Sequence, residues 1–131
     1  MYKLSNIVIQ QMYTHADSCY PQECCGLVGG QQQSFISYYP LTNVANEPER
    51  QFFAAPAEMF PVMKQMRSRQ QTLLGIYHSH PHSPAYPSAS DVEAAYYPEA
   101  VNFILSLYPS LTLAAFLIKD GNIIGINYII E

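Results

Sequence analysis

Leu73-Leu74-Gly75-Ile76-Tyr77-His78-Ser79-His80-Pro81 is the stretch on which both the fold and the chemistry turn. Leu73 to Tyr77 is an apolar run bounded by polar residues and reads as a buried strand. Side chains two apart on a strand project from one face, so His78 and His80 converge on a single point. Pro81 has no N–H to give a ladder and ends the strand just beyond them. Further on, Ser88 and Asp91 add a hydroxyl and a carboxylate. Two neutral imidazoles and one carboxylate make a three-ligand zinc site with its fourth position open to water, the arrangement of catalytic rather than structural zinc.

Each of these residues has a plainer reading. Ser88-x-x-Asp91 also fits a capping box, with Ser88 at a helix N-cap and Asp91 reaching back to its amide. Beside the two histidines, ligation by Asp91 is the favoured role, and Ser90-x-x-Glu93 is left to help cap the helix. His82 would share the face of His78 and His80 only if Pro81 left the strand intact, so it reads as a loop residue at the mouth of the site. Cys24 and Cys25 are adjacent, point to opposite faces of a strand, and read as small buried apolar residues rather than nucleophiles.

The spacing His78-x-His80-Pro81, six residues, Ser88, two residues, Asp91 resembles the JAMM (MPN+) metalloprotease motif position for position. The upstream Pro21-Gln22-Glu23-Cys24-Cys25-Gly26-Leu27 is similar to that family's glutamate followed by a Cys-Gly pair. The resemblance implies that His78, His80 and Asp91 hold Zn2+. It implies that Glu23 is general base and then general acid, and that Ser88 donates to the oxyanion of a tetrahedral intermediate. It also implies the JAMM fold, related to the cytidine deaminase arrangement. A carboxylate that takes a proton from an attacking water and hands it to the leaving amine is what amide hydrolysis requires.

Composition narrows the alternatives. The chain has 131 residues, 49% hydrophobic and 12% charged, which fits one globular domain over residues 1–131 with a core of its own. A formal charge of −4 with no Lys/Arg cluster argues against phosphate-driven nucleic-acid binding. No apolar run reaches the roughly 18 residues of a membrane span. The start lacks the basic and apolar regions of a signal peptide, and three crowded cysteines suit a reducing compartment. The expected location is the cytoplasm.

Along the chain, strands are expected at Lys3–Gln10, Cys24–Gly29, Ser34–Leu41, Gln51–Ala54, Leu73–His80, Val101–Leu107, Leu111–Lys119 and Ile123–Ile130. Helices are expected at Gln11–Tyr20, Pro56–Gln70 and Ser88–Tyr97. Gly29-Gly30 and Asp120-Gly121-Asn122 read as turns, and Thr42–Arg50 as a loop. Pro61 is tolerable only if its helix begins near Ala57 or Glu58. The fold class is α/β, a mixed β-sheet flanked by helices.

The function these readings support is a zinc metallopeptidase. The resemblance implies a compact prokaryote-type member acting at the C-terminus of ubiquitin-like sulfur-carrier proteins, whose flexible tail lies extended along a sheet edge. The short gap from Asp91 to Val101 has no room for the long insertion of ubiquitin-chain-specific members. A non-catalytic scaffold of the same fold would lack the ligands that this chain keeps. A deaminase would need H-x-E with P-C-x-x-C, which is absent.

Overall fold

The computed structural model describes residues 1–131. Strand β1 (Tyr2–Leu4) leads into helix α1 (Asn6–Cys19), followed by β2 (Cys25–Gln31) and β3 (Ser34–Leu41). Helix α2 (Pro56–Ser68) precedes β4 (Thr72–His80), the short helix α3 (Ala89–Glu93), β5 (Val101–Ser106) and β6 (Thr112–Lys119). The chain ends with β7 (Asn122–Ile126) and β8 (Tyr128–Ile130).

All eight strands join one mixed sheet in the order β7-β6-β5-β4-β2-β3-β1-β8. β4 runs parallel to β5 and antiparallel to β2, and β1 is parallel to both β3 and β8. β7 and β8 occupy opposite ends of that order, yet only Asn127 separates them in the chain. The sheet therefore curls until its two edges meet. Tyr128 on β8 reaches across the seam, donating to the Leu113 carbonyl of β6 at 3.2 Å and packing edge-on against Phe103 of β5.

Helix α1 fills the concave side. Val8, Met12 and Ala16 recur every four residues, are essentially inaccessible, and join Phe35, Tyr77, Phe103 and Leu105 in the larger core. Helix α2 covers the other face, where Met66 packs with Cys25, Leu27, Tyr39 and Leu41. The two histidines project on this second face, since Ile76 belongs to it and Tyr77 to the α1 side.

The mixed sheet flanked by helices matches the expected class, and Ser34–Leu41 matches its strand residue for residue. Several local expectations are corrected. Of Lys3–Gln10 only Lys3 and Leu4 are strand, the end of β1: Ser5 then caps a helix by accepting from the Ile7 amide, and burial of Val8 and Ile9 outweighs the strand preference of the β-branched run. Gly29-Gly30 is not a turn. The strand continues through both residues to Gln31, the register with β3 shifts between them, and the hairpin turns at Gln32, whose φ is 55°. Gln51–Ala54 contributes only the single bridge Asn43–Ala54.

α2 begins at Pro56, so Pro61 lies in its second turn and leaves the Ala57 carbonyl without its usual partner. The third helix is five residues long rather than ten, and the last strand is broken at Asn127 where the chain crosses the seam. The turn expected at Asp120-Gly121-Asn122 is a two-residue one, Asp120-Gly121, with both φ values positive, and Asn122 already belongs to β7, paired to Lys119.

Candidate active site

β4 carries His78 and His80 to its C-terminal end, beside the residues that lead into β2. Cys25 pairs with His78, and the antiparallel match continues past the strand, where Cys24 N–H donates to Ser79 Oγ at 2.8 Å and Ser79 N–H to the Cys24 carbonyl at 3.1 Å. The same register brings Glu23 opposite His80.

His78 and His80 are buried, and their Nε2 atoms lie 3.1 Å apart. Asp91 Oδ2 is 3.1 Å from His78 Nε2 and 3.0 Å from His80 Nε2. His80 Nδ1 donates to the Pro84 carbonyl at 2.9 Å, which turns the bare Nε2 of the neutral ring inward. Phe52 stacks on His78, 4.4 Å between centroids and 22° between planes. Two imidazole nitrogens and a carboxylate oxygen at mutual distances near 3 Å are lone-pair density facing lone-pair density. A proton or a cation must lie among them. Zinc bonds of about 2.0–2.2 Å at tetrahedral angles span similar edges, so this donor set fits such an ion.

Glu23 flanks the pair from the other side. It is 4% exposed, its Oε1 has no hydrogen-bond partner, and it has a carboxylate oxygen within 4.8 Å of both rings. Burial pushes its carboxyl up to about 8, with Asp91 adding to the rise and His80 opposing it. Burial pushes His78 down. Burial also opposes charge on His80, but its bonds to Asp91 and the Pro84 carbonyl outweigh this and hold it above the usual imidazole range. Burial would raise Asp91, yet the two rings and the Ser88 amide hold it well below the usual carboxylate range.

Capping and clustering turn out not to be rivals at Asp91. Ser88 is the N-cap of α3, its Oγ accepting from Asp91 N–H at 3.1 Å, while Ser88 N–H donates to Asp91 Oδ2 at 2.9 Å. The same Oδ2 faces both histidines. The cap is Ser88 and not Ser90, and the capping bonds aim Asp91 inward. The cap uses a lone pair of Ser88 Oγ, which also lies 3.1 Å from Ser90 Oγ; with Ser90 as the donor of that contact, the Ser88 proton is left to donate elsewhere. His82 lies outside the cluster, half-exposed and 3.6 Å from Glu49. Cys24 and Cys25 fall in different cores, with thiols pushed by burial up to about 11 and 12.

Three contributors carry no sequence signal of their own: Phe52, Pro84 and Asn43. The Asn43 side chain donates to the carbonyls of Glu23 at 2.9 Å and Gln51 at 3.0 Å, and accepts from the amides of Ala45 and Phe53 at 3.0 Å each. A lone Asn in a polar loop looks like any turn residue.

Two recesses flank the cluster. An open polar groove runs from Glu23, His80 and Ser88 along Asn46–Arg50, His82 and Ser83. On the other side an apolar pocket of about 230 Å³ shares His78 and Asp91 and is walled by Phe52, Phe53, Met59, Ile76, Tyr96 and Tyr97.

Residues 5–118 match the family of prokaryotic homologues of the JAB domain. The chain belongs to this family. It is 35% identical over 88 residues to the desampylase of Haloferax volcanii, a match covering 66% of this chain and 63% of that protein. It is 31% identical over 102 residues to the CysO-cysteine peptidase of Mycobacterium tuberculosis, covering 76% of this chain and 68% of that one. The chain thus spans about two thirds of the length of these relatives. Among solved structures, a protein from Desulfitobacterium hafniense is 33% identical with a TM-score of 0.90, covering all of this chain and 93% of the other. A structure with a JAMM metalloprotease-like zinc site has a TM-score of 0.65 at 17% identity, covering 100% and 98%, and shows the shared JAMM/MPN fold.

Proposed function

We propose that this chain is a zinc metallopeptidase that hydrolyses peptide or isopeptide bonds at the C-terminus of ubiquitin-like sulfur-carrier proteins. The observation that carries this reading is the pairing of two facing imidazoles and Asp91 within 3.1 Å with a separate buried carboxylate, Glu23, whose Oε1 is unpartnered. In this reading His78, His80 and Asp91 hold the zinc. When bound, the metal supplies Lewis acidity toward the scissile carbonyl and lowers the pKa of water.

The chain's own residues do the rest. Glu23, kept protonatable by burial, takes a proton from the attacking water and hands it to the departing amine. Ser88 Oγ, its lone pair engaged by the Asp91 amide, turns its proton toward the developing oxyanion; such a donor is worth about 2.7–4 kcal/mol. The Pro84 carbonyl and the Phe52 ring hold the two imidazoles in place. The substrate class rests on the desampylase and CysO-cysteine peptidase relatives and on a site that admits an unfolded tail. Small glycines let that tail approach closely. No helix is long and apolar enough to cross a membrane. With that, the three free cysteines favour a reducing, cytoplasmic setting.

The test offers zinc-loaded chain a carrier protein ending in Gly-Gly, conjugated through that end, beside a conjugate with a bulky penultimate residue and a generic unfolded protein. Release of the carrier from the first alone is expected, and Glu23→Gln should lower the rate about 10²–10⁴-fold. Equal cleavage of all three would mean a nonspecific peptidase. Cleavage of none would favour a binding scaffold.

A further inference from the structure

The two recesses differ in chemistry, and the residues they share with the centre differ too. Glu23 and Ser88 line the polar groove, whereas Asp91 and His78 line the apolar pocket, and neither recess contains both sets. A leaving amine must collect its proton from the general acid. If Glu23 is that acid, the amine departs on the side where Glu23 opens, and the segment attached to it continues into the groove.

We propose that the conjugate crosses the centre in one direction, with its leaving segment in the polar groove, and that Glu47 and Glu49 make this groove selective for basic leaving segments. The proposal rests on the reading of Glu23 as proton donor. Apart from the Pro48 and Pro81 rings no apolar side chain lines the groove, so an apolar segment gains little by entering it. Among its charged walls, two carboxylates, Glu47 and Glu49, face one guanidinium, Arg50. Glu49 is engaged only by a half-exposed His82 at 3.6 Å, a contact that an incoming ammonium displaces at little cost. Glu47 makes no side-chain hydrogen bond or ion pair.

The groove is also built rather than incidental. Glu23 N–H donates to the Pro48 carbonyl at 2.7 Å, and the Arg50 and Gln51 amides both donate to the Glu47 carbonyl. Asn43 ties the far end of the same loop to the Glu23 carbonyl. The acidic wall therefore stands at a fixed place relative to the buried, unpartnered oxygen that meets the amine.

The experiment uses zinc-loaded full chain and carrier conjugates identical up to the scissile bond, differing only in whether the leaving peptide is lysine-rich or glutamate-rich. The readout is the ratio of kcat/KM for the two within each enzyme, which cancels any general loss of activity. Wild type should prefer the basic peptide by about 10-fold at low salt, and less as ionic strength rises. A Glu47→Lys/Glu49→Lys double variant, with melting checked against wild type, should invert the ratio. A second pair of conjugates, varied only upstream of the scissile bond, should be discriminated equally by both enzymes. An unchanged leaving-side ratio in the double variant overturns the proposal, as does a shift in upstream discrimination instead. Failure of wild type to cleave any conjugate would instead overturn the peptidase reading itself.

Discussion

The Asn43 side-chain amide donates to the main-chain carbonyl of Glu23 at 2.9 Å, so a loop residue twenty positions away holds the backbone that carries the buried carboxylate. The same side chain closes its loop through Gln51, Ala45 and Phe53, next to the Phe52 ring on His78. Asn43→Ala removes all of these bonds at once. We expect a stability loss on the order of 2 kcal/mol and a fall in kcat of at least 10-fold with little change in KM. Asn43→Asp keeps the Ala45 and Phe53 bonds but sets a carboxylate oxygen against the Glu23, Gln51 and Pro48 carbonyls, so it should recover neither the stability nor the rate. Unfolding curves with steady-state kinetics decide this; a variant that melts early but turns over normally would make Asn43 structural only.

Glu23 also predicts a pH dependence in the metal-free chain. Burial pushes its carboxyl up to about 8 in the folded chain, against 4.5 for the ordinary group. Between those values the folded state holds the extra proton, so its contribution to stability falls as pH rises and levels off above about pH 8. Gln at this position does not titrate. The stability of Glu23→Gln minus wild type should therefore grow from pH 4.5 to 8, by a few kcal/mol in order of magnitude. Denaturant unfolding with chelator present at pH 5, 6.5 and 8 measures it. Parallel pH profiles for the two proteins would contradict the buried, proton-retaining carboxylate.

The residues of the candidate site were readable because strand geometry is strict: His78 and His80 must share a face, and Pro81 must end their strand. Glu23 was readable only by resemblance, since nothing local marks an acid before Cys24 as buried. Its position follows from the β2–β4 register, which is a long-range fact. The misreadings share that cause. Ile7-Val8-Ile9 looks like strand until α1 is placed inside a curled sheet, and Gly29-Gly30 looks like a turn until β3 is seen to approach it closely. Ligand and cap look like alternatives at Asp91 in the sequence, whereas one carboxylate oxygen meets both histidines and the Ser88 amide.

The cysteines should be spectators. Cys24 and Cys25 are buried, and burial pushes their thiols up to about 11 and 12, so almost no thiolate forms at neutral pH. Treatment of the zinc-loaded native chain with iodoacetamide at pH 7 should leave these two unmodified by mass spectrometry and activity intact. Inactivation that tracks alkylation of Cys24 or Cys25 would require a thiol in the mechanism.

Two carboxylates flank the histidine pair, and zinc-dependent stabilisation separates their roles. Asp91 Oδ2 sits 3.0–3.1 Å from both Nε2 atoms, held there by the α3 cap, while Glu23 stands off with its oxygen within 4.8 Å. Zinc that binds only the folded chain raises its stability by RT ln(1 + [Zn]/Kd), about 2.7 kcal/mol at a hundredfold excess over Kd. Added to chelator-stripped protein, it should raise the melting temperature of wild type and of Glu23→Gln alike. His80→Ala and Asp91→Asn should lose most of that rise, and their own metal-free melting temperatures serve as the baseline. The opposite pattern, a rise kept by Asp91→Asn and lost by Glu23→Gln, would make Glu23 the carboxylate ligand and leave Asp91 as the helix cap alone.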